Sequence, residues 1–250
     1  MIEMLRVKNL NYKIGKQEIL SRIDVEFRKG CMTAIVGPNG SGKSTLLSFL
    51  GRDCQRSDTV FLQGSDVSTI EAKEYARRVA MLPQQREMIA GLFVKDVVVM
   101  GRFPYKKGFH DYTEEDRRIA AEAMEQTGVS NMANRRICHM SGGEIQRVLI
   151  AKTLAQRAEV MLLDEPTNHL DVKYKVALMQ TLRSYGRTVV IVLHDLSLAA
   201  AYCDDVIMMK NGTVVKQGLA KAVLEPDLLE EIFGVPFVRY EQNGKVYLNY

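Results

Sequence analysis

The stretch Gly37-Pro38-Asn39-Gly40-Ser41-Gly42-Lys43-Ser44-Thr45 carries the spacing G-x-x-x-x-G-K-[ST], and those residue types point to the binding of a polyphosphate. Glycines at both ends let the backbone turn its N–H groups inward and approach phosphate oxygens without interference from a Cβ. A helix beginning near Gly42 would aim its positive dipole end at the same point. Lys43 supplies a point charge for the β and γ phosphates, and the Ser44 hydroxyl is placed to hold Mg²⁺. A glycine-rich turn with a surface lysine is the rival reading. It leaves unexplained the apolar run Met32-Thr33-Ala34-Ile35-Val36 directly before the loop and Leu46-Leu47-Ser48-Phe49-Leu50 directly after it.

Two further constellations narrow the chemistry. Val160-Met161-Leu162-Leu163-Asp164-Glu165-Pro166 puts two carboxylates at the end of an apolar strand, where an open α/β sheet collects its ligands. Asp164 can reach Mg²⁺ through water, and Glu165 is then placed as a general base for an attacking water. A helix cap is the alternative for two acids after a strand, and the phosphate loop beside them weighs against it. In Met140-Ser141-Gly142-Gly143-Glu144-Ile145-Gln146-Arg147, Ser141 and Glu144 have capping-box spacing before the apolar-periodic stretch Val148 to Leu154. A cap needs at most one small turn residue, whereas Gly142 and Gly143 leave bare N–H groups at a helix start, a second anion site. Two such helix ends with a single loop lysine suggest that a second copy docks head to tail, each nucleotide closing between one chain's Lys43 loop and the other's Ser141–Gly143 turn.

The elements that must position these residues follow from periodicity. Leu5 to Val7 and Ile19 to Phe27 alternate as half-buried antiparallel strands around a Gly15-Lys16 turn, and Lys29-Gly30 closes that ribbon. Thr33 to Val36 feeds the phosphate loop, whose helix ends near Gly51. Val60 to Leu62 and Val79 to Leu82 read as short strands, with a polar helix from Glu71 to Arg78 between them. Residues 86–153 are helical in character, with a helix start at Thr113-Glu114-Glu115-Asp116. Val160 to Leu163 and Val189 to Leu193 are continuous apolar runs of strands buried on both faces. Val206 to Lys210 and Thr213 to Gln217 flank Asn211-Gly212, a hairpin signal. A last helix starts at Glu225, and Val235 to Tyr250 forms a small extension.

At 250 residues the chain can bury a sizeable core, and 46% hydrophobic with 26% charged residues describes an ordinary globular protein. A formal charge of +4, with basic residues in isolated pairs such as Arg77-Arg78 and Lys106-Lys107, argues against nucleic acid as a partner. Cys31, Cys54, Cys138 and Cys203 lack metal-ligand spacing and are expected to be reduced, mostly buried thiols. No run reaches the roughly 18 apolar residues of a membrane span, and the amino terminus lacks a signal-peptide core, so a cytoplasmic protein is expected, meeting a membrane only through a partner.

Together the three motifs resemble the ATP-binding subunit of an ABC transporter along nearly the whole chain, and the signature at Ser141 to Gln146 is specific to that superfamily. The resemblance implies an α/β fold: a P-loop NTPase (RecA-like) core with an antiparallel β subdomain in 1–85 and 154–220, an inserted α-helical signature subdomain in 86–153, and a carboxy-terminal helix and extension in 221–250. It also implies ATP and Mg²⁺ as cofactors, with Glu165, His194 and Gln84 catalytic and Ser44, Gln84 and Asp164 around the metal. Tyr12 matches the aromatic that stacks on adenine, Gln84 the glutamine that senses Mg²⁺ and the lytic water, and His194 the switch histidine on the γ-phosphate. Asp171, in Asn168-His169-Leu170-Asp171, matches a residue that communicates across the dimer. His110, His139 and His169 have no such match and read as structural.

One departure is Glu144, where the family usually has glutamine. Its carboxylate is expected to turn back and cap its own helix, leaving phosphate to Ser141 and Gly143. The segment Asp96-Val97-Val98-Val99-Met100-Gly101-Arg102-Phe103-Pro104-Tyr105 is similar to importers of iron-siderophore, haem and vitamin B12, and molybdate importers share it. In such systems a homodimer of ATPase chains sits under an integral membrane permease, peripheral to the cytoplasmic face, and a substrate-binding protein delivers cargo. Met88-Ile89-Ala90-Gly91-Leu92-Phe93 is expected either to receive a permease helix or to pack in the core. A soluble ABC ATPase of iron–sulfur cluster assembly has similar length but leaves the Met100 to Pro104 segment unexplained. DNA-repair and ribosome-associated relatives need a long coiled-coil insertion or two nucleotide domains.

Overall fold

Alternating burial at the start of the chain builds a long antiparallel ribbon, β1 (Glu3–Ile14) and β2 (Gln17–Arg28), turned at Gly15-Lys16. The computed structural model describes residues 2–54, 57–82, 91–108, 110–242 and 245–249. β1 runs well beyond the expected Leu5 to Val7. A register shift between Val7 and Leu10, with Asn9 at φ 44°, exposes Lys8 and Asn9 in succession, and this break in period two hides the continuation of the strand in the sequence.

β3 (Met32–Val36), buried throughout, delivers the phosphate loop to α1 (Lys43–Leu50), which ends at Gly51. β4 (Val60–Leu62) and β5 (Ser65–Asp66) complete a four-stranded antiparallel sheet in the order β2-β1-β4-β5. After α2 (Ala72–Arg78) and β6 (Val79–Leu82) the helical region holds α3 (Val94–Val99), a 3₁₀ turn at Met100–Tyr105, α4 (Glu114–Gln126) and α5 (Gly142–Ala155). α4 starts as its sequence indicates: Thr113 and Asp116 close a capping box.

β7 (Val160–Asp164), α6 (Val172–Ser184), β8 (Thr188–Val192), α7 (Leu196–Tyr202), β9 (Asp205–Lys210) and β10 (Thr213–Leu219) return the chain to the core. α8 (Ala220–Val223), α9 (Pro226–Phe233) and the hairpin β11 (Val238–Gln242) and β12 (Lys245–Asn249) end it, with β12 packed on α7. The main sheet runs β10-β9-β3-β8-β7-β6, parallel except for β10.

Period-two alternation sends side chains from each central strand to opposite faces. Ala34, Met161, Ile191 and Met208 join a core shared with α3, α4 and α5, while Ile35, Leu162, Val190 and Ile207 join one shared with α1 and the antiparallel sheet. Because both faces are covered, the strands read as unbroken apolar runs. Arg28 of β2 forks onto both carboxylate oxygens of Asp205 on β9, each at 2.6 Å, tying the two sheets together. Among the described residues no helix is long and apolar enough to cross a membrane. The cysteines depart from expectation: Cys203 is buried, Cys31 and Cys54 are half-buried and Cys138 is exposed, since Cys138 lies on a short surface turn before α5 rather than on a core-facing strand.

Candidate functional site

The phosphate loop turns tightly because two of its glycines hold conformations closed to other residues. Gly37 has φ 150° and lies so close to β9 that a Cβ would fall 2.1 Å from the Met209 carbonyl oxygen. Gly42, at φ 98°, is the N-cap of α1, and the Leu46 N–H bonds to its carbonyl, so the N–H groups of the first turn stay free of the helix ladder. These point into a cleft of about 520 Å³ lined by Asn39, Gly40, Lys43, Ser44 and Thr45 on one side and by Glu165 and His194 on another. Gln17 and Ile19 of β2 close a third side, which the sequence alone did not indicate. Ser41 is buried, and its hydroxyl has no partner among the described residues.

Lys43 is 5% exposed and donates from Nζ to the carbonyls of Gly37 and Pro38, both at 2.9 Å. Burial pulls its pKa below the usual lysine value, opposed by Glu165 and Asp164. Ser44 Oγ donates to Asp164 Oδ1 at 3.1 Å, joining the start of α1 to the end of β7. The Asp164 carboxyl is pushed above the usual range, mainly by burial and also by its neighbour Glu165; the Ser44 hydrogen bond, Lys43 and His194 pull the other way. A hydroxyl and a buried carboxylate in contact are oxygen donors suited to a hard divalent cation, which would neutralise that carboxylate. The described residues contain no cluster of three His, Cys, Asp or Glu that would hold a metal ion.

Glu165 sits at φ 48°, a left-handed conformation unusual for a residue with a side chain, imposed where β7 leaves the sheet. Both of its carboxylate oxygens are engaged: Oε1 with His194 Nε2 and Oε2 with the Asn168 side-chain amide, each at 2.5 Å. The sequence placed Asn168 only as part of the loop before Asp171, because a contact three residues along a turn depends on the turn's geometry. His194 lies two residues past the end of β8, and Asp195 after it caps α7 through the N–H groups of Ser197 and Leu198. The Glu165 carboxylate and the His194 imidazole thus stand together on the wall of the cleft, with the Asn168 amide holding the second carboxylate oxygen.

The Ser141–Gly143 turn does not line this cleft. Ser141 caps α5 and Glu144 Oε2 accepts from the Ser141 N–H at 2.7 Å, while Glu144 Oε1 pairs with Arg135 at 3.1 Å. The hydrogen bond from the Ser141 backbone holds the Glu144 carboxyl below the usual range, with Arg135 assisting against partial burial. Glu144 therefore turns back on its own helix, as its spacing from Ser141 suggests. Gly143 has a reason inside the chain beyond an anion site: a Cβ there would lie 2.8 Å from the His169 carbonyl oxygen. Gln146 donates to the Pro166 carbonyl at 3.2 Å, so the turn rests on the loop after Glu165. Asp171 caps α6 by accepting from the Tyr174 N–H at 3.1 Å. Tyr12 is half-buried on β1, its ring edge-on to Phe49 of α1 with centroids 5.1 Å apart. Gln84 lies outside the described residues, as do Met88, Ile89 and Ala90. Leu92, beyond them, is half-buried against the helical core.

Comparison with known proteins agrees with this geometry. The family described as ABC transporter matches residues 20–168, more than half of the chain. The chain is 39% identical over 236 residues to the iron(3+)-hydroxamate import ATP-binding protein FhuC of Bacillus subtilis (strain 168), covering 92% of this chain and 88% of that one. It is 42% identical over 231 residues to the hemin import ATP-binding protein HmuV of Streptomyces coelicolor, covering 91% and 82%. Among solved structures, the dimeric ATP-binding cassette MJ0796 in a post-hydrolysis state with ADP and Pi superposes with a TM-score of 0.76 at 29% identity, covering 87% of this chain and 99% of that one. A phosphate loop, a strand-end carboxylate pair and a glycine-rich signature helix, set on this sheet, accord with those relatives: the chain belongs to the ABC transporter family, as an ATP-binding subunit whose ATPase activity is coupled to transport.

Proposed function

We propose that this chain powers uptake of an iron chelate, haem or cobalamin through an integral membrane permease. It would act as a homodimer peripheral to the membrane, with a binding protein supplying the cargo. The observation that carries the ATPase part is Glu165, at positive φ with its carboxylate held by His194 and Asn168, beside Lys43, Ser44 and Asp164. Import of metal-containing cargo rests on relatives such as the hydroxamate and hemin ATP-binding proteins, which the chain matches over about nine-tenths of its length.

In this reading the α1 N-terminus and Lys43 hold the β and γ phosphates, and Tyr12 faces the adenine. Ser44 and Asp164, with Gln84, would hold Mg²⁺, which neutralises charge on the phosphates when bound. Glu165 takes the proton of the attacking water, and His194 keeps the carboxylate aimed while itself facing the γ-phosphate. The Ser141–Gly143 turn, absent from its own chain's cleft, completes the cleft of a second copy, with Asp171 at the contact between copies. Glu165→Gln should retain ATP binding and lose hydrolysis by about 10²–10⁴ fold. A variant that hydrolyses at the parent rate removes Glu165 from the role of base. Co-purification from detergent with an integral membrane protein tests the transport part, and Phe93→Asp should release that partner while the chain stays folded; a loss of fold would favour core packing instead.

A further inference from the structure

Arg102 is 7% exposed, yet it lies outside the nucleotide cleft and no step of hydrolysis uses it. It sits in the 3₁₀ turn Met100–Tyr105. Its Nε donates to Asp116 Oδ1 at 3.0 Å, at the capped start of α4. One terminal nitrogen donates to the carbonyls of Ala155 at 3.0 Å and Gln156 at 3.4 Å, at the end of α5 where helix carbonyls lack ladder partners. The guanidinium also stacks on the Tyr105 ring, 3.8 Å from its centroid, and the Tyr105 hydroxyl donates to the same Gln156 carbonyl at 3.0 Å. A planar fork that covers a carboxylate, two carbonyls and an aromatic face at once is specific to arginine.

The neighbours of Arg102 fix this node from both sides. Gly101 packs directly on the α5 backbone, where a Cβ would fall 2.1 Å from the Lys152 carbonyl oxygen. The Gln156 side chain donates to the carbonyls of Ala76 and Val79, fastening the same helix end to the core. α5 is therefore anchored at its C-terminal end, and its 14 residues span about 20 Å to the Ser141 cap. The far end is seated by Gly143 against His169 and by Gln146 on Pro166, so a shift at the anchor is passed along the helix to that seat.

We propose that Arg102 is a positioning residue for ATP turnover: by locking the C-terminal end of α5 to α4 and Tyr105, it sets where the other end presents the Ser141–Gly143 turn. This rests on the reading that the turn closes a nucleotide held by a second copy. Arg102→Lys keeps the charge opposite Asp116, but one ammonium cannot reach Asp116 and the Ala155 carbonyl while stacking on Tyr105. The full-length variant is compared with the parent by ATP turnover across ATP concentrations, equilibrium ATP binding, thermal unfolding and hydrogen exchange along α5, residues 142–155.

The expected result is ATP binding within twofold of the parent, kcat lowered about tenfold and exchange at 142–148 several-fold faster. Parent-like kcat with parent-like exchange overturns the proposal, as does an equal loss of ATP binding and kcat, which would mark a structural role only. Should the parent itself not hydrolyse ATP, the functional reading fails and exchange decides alone: acceleration confined to the Ala155 end refutes positioning. Arg102→Ala extends the series if it folds, with a loss of turnover at least as large as that of the lysine variant.

Discussion

Gly143→Ala tests whether the seat of the signature turn on its own chain governs turnover. The added Cβ would lie 2.8 Å from the His169 carbonyl oxygen, against 3.4 Å for an ordinary contact, and that neighbour is backbone that cannot swing aside. The turn must therefore move away from the 166–171 loop by about 0.6 Å. A misplacement of about 1 Å near reacting groups can cost about 10² in rate, so a loss of about tenfold in kcat is expected. Stability should change little, because alanine is favoured over glycine in a helix by about 1 kcal/mol, which offsets part of the steric cost. For a chain of this size that keeps the melting temperature within about 4 °C of the parent. ATP binding to the Lys43 loop should be unaffected, since the turn does not line that cleft. ATP titration of hydrolysis alongside a thermal melt separates the cases. Parent-like turnover would show slack in the seat and refute the argument; a melting temperature lowered by more than 10 °C would show that packing, not positioning, was lost.

Other expectations concern groups whose surroundings the fold defines. Glu144→Gln should hydrolyse ATP within about twofold of the parent, because the amide oxygen can still accept from the Ser141 N–H and the lost Arg135 pair is worth at most about 1 kcal/mol; a many-fold change in a turnover assay would assign the carboxylate a direct role. Burial alone would push the Asp116 carboxyl up, but hydrogen bonds from Thr113 and Arg102 outweigh it and hold the group below its ordinary 3.8. Its contribution is therefore full at neutral pH and fades as pH falls through the depressed value. Asp116→Asn should cost about 3 kcal/mol at pH 7 in denaturant melts, with the gap to the parent closing in acid; a gap independent of pH would contradict the ion pair. In thiol labelling of the native protein Cys138 should react first, while Cys203, buried with its pKa raised by that burial, should react only on unfolding; early labelling of Cys203 would show an opening of α7.

Much of the architecture was legible because it is written in local periods. Runs buried on both faces marked β3, β7 and β8, a capping box marked the start of α4, and Asn211-Gly212, with φ 49° and 75°, marked the turn between β9 and β10. The β1 bulge escaped because it breaks period two within a single strand. The exposure of Cys138 escaped because cysteine's usual burial says nothing about a particular surface turn.

The sequence by itself determined the chemistry of the phosphate loop, since G-x-x-x-x-G-K-S needs only eight consecutive residues and the strand and helix beside them. It determined too that Asp164 and Glu165 end a buried strand and that Glu144 can cap its own helix. Only the tertiary structure decided which groups meet: His194 and Asn168 on the two oxygens of Glu165, Gly143 against His169, and Arg102 across α4 and α5. His194 is 29 residues from Glu165 along the chain, and Arg102 is 53 from Ala155. Contacts at such separations arise from the order of strands in the sheet and the packing of helices on its face, which no local pattern of residues encodes.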